Sequence, residues 1–225
     1  MFKTVRNLLA TAPILKKAHV HQSSEIKLMQ QDKYNIEDEA SGLLNHTKIH
    51  TIYLDMDGVL VDHYGYLAES LNITKQAFID QLTSFKTKEE KENYIIPLIL
   101  NSIDDESFIK SKPTKEFNQF LRLIEHWLNL GIDVQILSST MQEHGRNNEI
   151  KRQKQIWLSQ NGLDHIRANF VKGSKYKQDY ADQNCLLIDD YKRTIDQWSA
   201  WEGAVGIHHT DMITTLKQLK QLGLL

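Results

Sequence analysis

Cysteine is almost missing from this chain: Cys185 is the only one in 225 residues. No internal disulfide can form, which excludes a small secreted fold stapled by disulfides. Cys185 sits in the apolar run NCLLIDD and reads as a small core residue rather than a nucleophile. Long hydrophobic runs are missing too. None approaches the roughly 20 residues of a membrane span, and YIIPLIL is short and broken by Pro97. Neither sign of charge dominates, since 27 basic and 29 acidic side chains leave a formal charge of −2. That balance gives no electrostatic reason to bind duplex nucleic acid or anionic lipid. No membrane and no long nucleic-acid partner is expected. Repeats and low-complexity tracts do not occur. The chain reads as a soluble, cytoplasmic globular protein, long enough for one domain with a modest insertion.

Acidic residues are absent from positions 1–24, which carry Lys3, Arg6, Lys16 and Lys17. The pattern loosely resembles an organelle-targeting peptide; a solvated or helical arm is the plainer reading. Residues 21–48 are polar with weak periodicity. Residues 1–48 are therefore set apart as an N-terminal arm, partly disordered or helical.

From residue 49 onward, short apolar runs alternate with helical patterns. IHTIYL (49–54), IDVQIL (132–137), ANFV (168–171), CLLI (185–188) and AVGIHH (204–209) read as strands. Helices are predicted over 115–131, 147–161 and 191–203, and in the tail from Asp211. In the first of these, Phe117, Phe120, Leu121, Ile124, Trp127 and Leu128 recur at three- and four-residue intervals. The four tryptophans, Trp127, Trp157, Trp198 and Trp201, fall on predicted helices and read as helix–sheet packing. Such alternation predicts an α/β fold, a Rossmann-like parallel sheet sandwiched by helices. Residues 62–113 interrupt it with helical patterns and no convincing strand. They read as a small helical cap over a core formed by residues 49–61 and 114–225, with Pro113 marking the return.

In parallel sheets of this kind ligands sit at the carboxyl ends of the strands. Three predicted strands end in polar residues there: YLDMD, QILSST and LLIDD. Asp55 and Asp57 are two apart, so on extended backbone they point the same way. Two like charges so placed are unfavourable unless a cation binds or one carboxyl keeps a proton. An oxygen-loving divalent cation, magnesium being the commonest, would neutralise them. Gly58 lets the chain turn at once and lets a ligand approach. An aspartate pair capping a turn would explain either acid alone, but not why Asp189 and Asp190 close another strand the same way.

DMDGV, ILSS, a lysine and LLIDD, in that order and each after a hydrophobic strand, resemble the four signatures of the haloacid dehalogenase (HAD) superfamily of phosphohydrolases. The resemblance spans about residues 49–210. It implies a magnesium-dependent phosphomonoesterase acting through an aspartyl-phosphate. Asp55 would be the nucleophile and Asp57 the general acid and then base. Magnesium would be held by the Asp55 carboxylate, the Asp57 backbone carbonyl and Asp189. Ser138 would donate to a phosphoryl oxygen, with Ser139 a rival hydroxyl. Of Lys172, Lys175 and Lys177, the family's spacing favours Lys177 as the balancing cation, ahead of Lys175. Asp190 would orient the site or cap the following helix.

Within the superfamily the chain resembles the 5'(3')-deoxyribonucleotidase-like branch, through DMDGVLVD, the double serine, KQIWLSQNG and LLIDDY. That branch implies a nucleoside monophosphate substrate, with Phe108 placed to stack on a base or to pack the insertion's core. His63 and Tyr64 could line the pocket, and Arg146 could grip a phosphate or stand as a solvated loop arginine. Two positions depart from the branch: His63 stands where an aromatic is usual, and Ser139-Thr140 replaces serine-proline. Both bear on the substrate rather than the reaction. The alternatives are a phosphatase for another small phosphometabolite or a nucleic-acid 3' phosphate, and a non-catalytic binding module. A homodimer is compatible with the sequence.

Overall fold

A computed structural model describes residues 49–141 and 144–225; the expectations for the N-terminal arm lie outside the described residues. Five strands, β1 (Thr51–Leu54), β2 (Asp133–Ser139), β3 (Arg167–Val171), β4 (Cys185–Asp189) and β5 (Val205–His208), form one parallel sheet in the order β3-β2-β1-β4-β5. The α/β expectation and all five strands hold. β1 and β4 lie inside the sheet with helices on both faces, so they need apolar residues at nearly every position. Ile52 and Leu54 face one core cluster, whereas Tyr53 faces the other, where its ring meets Trp198 at 5.5 Å.

Five helices lie between β1 and β2: α1 (His63–Ser70), α2 (Lys75–Ser84), α3 (Lys88–Ser102), the single turn α4 (Ser107–Lys110) and α5 (Phe117–Asn129). Three more follow, α6 (Asn147–Gln160), α7 (Lys192–Trp198) and α8 (Met212–Gln221). α5 buries Phe117, Phe120, Leu123, Ile124 and Trp127, and the Trp127 indole donates to the Leu224 carbonyl at 2.9 Å. Leu128, placed on that face by the spacing, is 40% exposed; Leu123 fills the stripe, because the helix presents a narrower arc than the pattern implied. α7 stops at Trp198, five residues short of its predicted end. Trp201 therefore falls on a turn and is 54% exposed, while the other three tryptophans are buried.

No strand interrupts residues 62–113 apart from a single bridge between Val61 and Pro113. The chain leaves and returns at adjacent points: Asp62 donates its backbone N–H to the Lys112 carbonyl at 2.8 Å, and Thr114 to Leu60 at 2.9 Å. Leu67, Phe78, Leu82 and Ile95 give the segment its own small core. α3 starts on a capping box between Thr87 and Glu90 and carries Pro97 within it. Among the described residues no helix is long and apolar enough to cross a membrane.

Candidate active site

Sheet register brings the acids together. Leu54 lies level with Ile136 of β2 and Ile188 of β4, so the residues that follow emerge side by side at the same edge. Asp55 donates its N–H to the Ile188 carbonyl at 3.0 Å. Lys177, on a 3-10 segment spanning Ser174–Tyr180, reaches between two strand tips. Its Nζ lies 2.7 Å from Asp55 and 2.7 Å from Asp189, with only 2% of the side chain exposed. Burial alone would push the Lys177 ammonium down; the two carboxylates more than offset that and raise it. The second oxygen of Asp189 accepts from the Tyr191 N–H at 2.8 Å, which starts the chain into α7.

Asp55, Asp189 and Asp190 each offer a carboxylate oxygen, all within 4.8 Å of one another. Desolvation, with the Asp189 and Asp57 charges adding, lifts the Asp55 carboxyl above the usual range against the pull of Lys177. Partial desolvation and the Asp55 and Asp189 charges push Asp190 well up as well. One ammonium is too little positive charge for three carboxylates, and three oxygen donors at this spacing fit a hard divalent cation. Gly58 belongs to the same arrangement: its φ is +81°, and a Cβ there would collide with the Asp190 carboxylate.

Asp57 has a different partner. The backbone bends after Asp55 and forms a bridge from Asp57 to Val61, so the extended geometry assumed for the pair ends at Met56. The Asp57 carboxylate meets the Lys154 ammonium of α6 at 2.5 Å. Lys154 also donates to the Ser138 hydroxyl at 2.8 Å and to the Ser139 carbonyl at 2.9 Å, and its side chain is 1% exposed. Desolvation would raise Asp57, but Lys154 above all, with His63 and Lys177, holds it below the usual carboxylate range. Asp57 Oδ1 is enclosed, with no hydrogen-bond partner among the described residues. Lys154 was not singled out in the sequence, although a lysine four residues after Ile150 and three before Trp157 falls on the buried stripe of α6.

The remaining candidates divide. Ser138 is fully buried beneath Lys154, whereas Ser139 lines the cleft and accepts from the Met141 N–H at 3.3 Å. His63 and Phe108 also line the cleft, stacked on each other with ring centres 4.0 Å apart. The Lys154 ammonium lies 4.9 Å from the centre of the Phe108 ring. Arg146 points instead to Asp104, at 2.5 Å, and does not line the cleft. Lys175 lies over the Tyr176 ring at 5.1 Å, also outside the cleft lining. The histidine pair at the end of β5 takes up structural contacts: His208 meets the Asp190 carbonyl at 3.0 Å and His209 the Thr215 hydroxyl at 2.8 Å.

No protein-family model and no curated protein matches this chain. Among solved structures, a hydrolase from Streptococcus pneumoniae TIGR4 is 16% identical, covering 77% of this chain and 99% of its own, with a TM-score of 0.48. A HAD family hydrolase from Deinococcus radiodurans R1, solved with bound phosphate and sodium, is 16% identical over 80% of this chain and 98% of its own, with a TM-score of 0.40. Likenesses this loose carry no functional weight; the chain's own side chains do.

Proposed function

We propose that this chain is a magnesium-dependent phosphomonoester hydrolase of the HAD superfamily, with residues 62–113 as its cap. One observation carries the reading: Lys177 Nζ sits 2.7 Å from both Asp55 and Asp189, at the common tip of β1 and β4. A buried acid held beside an ammonium and two further carboxylates, and open to a cleft, is poised for nucleophilic attack rather than for fold stability.

An Asp55 carboxylate oxygen forms a bond to phosphorus as the bond from phosphorus to the ester oxygen breaks. Asp57 gives its proton to that leaving oxygen. It then takes a proton from water, whose oxygen attacks the aspartyl-phosphate and frees Asp55 and phosphate. Ser139 is the better donor to a phosphoryl oxygen, because Ser138 is enclosed under Lys154 while the Ser139 hydroxyl, accepting from Met141, keeps its own proton to give. Lys154 and Lys177 supply positive charge on two sides of the transferring group. Asp55, Asp189 and Asp190, with the Asp57 carbonyl, would hold the magnesium ion, which supplies further charge neutralisation at the phosphoryl oxygens.

A (deoxy)nucleoside monophosphate is the substrate the motif resemblance favours. A different small phosphometabolite is favoured by one structural feature: the Phe108 ring already stacks on His63 and is 3% exposed, so a base could use it only after rearrangement. Hydrolysis of an aryl phosphate with magnesium tests the reaction itself. Asp55→Asn is expected to lower kcat by roughly 10⁴-fold or more. Wild-type protein inactive across aryl phosphates and nucleotides, or equal activity in the variant, would refute the assignment.

A further inference from the structure

The cleft above the strand tips holds about 1120 Å³, beyond the roughly 300–1,000 Å³ of a common small-molecule pocket. A phosphoryl group fills only its inner end. One face of α3 forms part of the wall: Lys88, Lys91, Glu92, Ile95, Ile96 and Ile99 recur at helical spacing and all line the cleft. Ile99 is the inner end of this stripe. It packs against the cluster holding Phe108, whose ring faces the same Lys154 ammonium that pairs with Asp57. Lys91 lies eight residues earlier, about 12 Å farther along the helix axis at 1.5 Å per residue. The stripe thus runs from the reaction centre, past three isoleucines, to cations.

The charges at the outer end do not cancel. Away from the strand-tip aspartates, the cleft carboxylates are Asp62, Glu92 and Glu116. Each already has a lysine, at 2.7 Å from Lys75, 3.1 Å from Lys88 and 3.3 Å from Lys115. Lys91 is half-buried on the cap wall and has no ion pair among the described residues. A lysine whose stem lies along an apolar wall inside the cleft, with no carboxylate paired to it among the described residues, is a ready partner for a ligand anion.

We infer that Lys91 is a second-anion subsite. The substrate is then a phosphomonoester whose body presents an apolar face to the isoleucines and carries a further anionic group at the end remote from the scissile phosphate. This narrows the hydrolase reading and rests on it. A simple nucleoside monophosphate would leave Lys91 unserved.

A ruler of ω-carboxyalkyl phosphates of increasing chain length, each compared with its own methyl ester, tests this by kcat/KM in magnesium. At the matching length the free carboxylate is expected to be preferred roughly tenfold, as for one charge-assisted contact, with the preference fading for short chains. Lys91→Gln, which breaks no side-chain hydrogen bond or ion pair among the described residues, is expected to bring that ratio to about one. Parity at every length in the wild type, or a preference that survives Lys91→Gln, would overturn the subsite while leaving the hydrolase reading intact. If neither these compounds nor a plain aryl phosphate is turned over, the hydrolase reading fails and the subsite falls with it.

Discussion

On the Asp189 side of the strand tips three carboxylates crowd around one ammonium, whereas on the Ser138 side one carboxylate faces one ammonium that two serines also hold. The same residue type is driven in opposite directions across a few ångströms of sheet edge: Asp55 and Asp190 up, Asp57 down. Two carboxyls whose surroundings push them apart are the mark of divided roles. The crowded side is built to receive positive charge from outside the chain, and the paired side brings its own. In the proposed chemistry Asp57 must carry a proton, and Lys154 opposes that until a phosphoryl group arrives to share its ammonium. The lysine therefore couples proton position to substrate occupancy.

Substituting each lysine breaks one side of this contrast. Lys177→Met has the larger expected effect, since it leaves Asp55 and Asp189 buried against each other without a cation. Stability in metal-free buffer is expected to fall by about 3–5 kcal/mol, the usual cost of stripping one partner from a buried charge pair. Urea unfolding measures this, and magnesium is expected to restore part of it by binding the folded state. A variant as stable as wild type without metal would contradict the crowding. Lys154→Gln is expected to lower kcat/KM by roughly 10²–10³-fold. With Lys154 gone the Asp57 carboxyl rises, so the limb on which kcat falls with increasing pH moves to higher pH. A pH profile that keeps its shape while only its height changes would show that Lys154 does not set the Asp57 proton.

Much of this arrangement could be read in the residues beforehand, because a parallel sheet converts linear order into position. Once YLDMD, QILSST and LLIDD are strands, register alone puts their tips on one edge. Lys177, which the family resemblance favours over Lys175, sits between Asp55 and Asp189. What escaped was decided by tertiary contact. Lys154 looks like one more charge on a charged helix until the stripe Ile150, Gln153, Lys154 and Trp157 is seen to face inward. For Asp190 the sequence allows either orienting the site or capping the following helix, and only the turn at Gly58 shows its carboxylate packed over the first motif. Arg146 fell in a loop whose sequence says nothing of Asp104, forty-two positions away. Helix ends were overrun for a simpler reason: α7 is followed by Ser199, Ala200, Trp201 and Glu202, which neither forbid nor require another turn.

His63 extends the comparison to residues 62–113, the proposed cap, and gives the smallest of the expected effects. Ser111 Oγ donates to the Ser107 carbonyl at 2.7 Å, so its 3.1 Å contact with His63 requires the proton on His63 Nδ1. Nε2 is then an acceptor, enclosed and without a partner among the described residues. Burial, reinforced by Lys154 and only partly offset by Asp57, brings the ring down from 6.5 to about 4. The unfolded chain therefore takes up this proton first as pH falls, and stability contributed by neutral His63 is lost between about pH 6.5 and pH 4. The loss approaches about 3 kcal/mol at the lower end. His63→Phe keeps an aromatic ring on Phe108 but removes the proton. It is expected to be about 1 kcal/mol less stable than wild type at pH 7.5, for the hydrogen bond to Ser111, and to overtake it as pH drops toward 4. Denaturant midpoints for the two proteins across that range should cross. Parallel curves would mean that His63 is not held neutral, and that the His63 side of the cleft does not share the paired, desolvated character of Asp57 and Lys154.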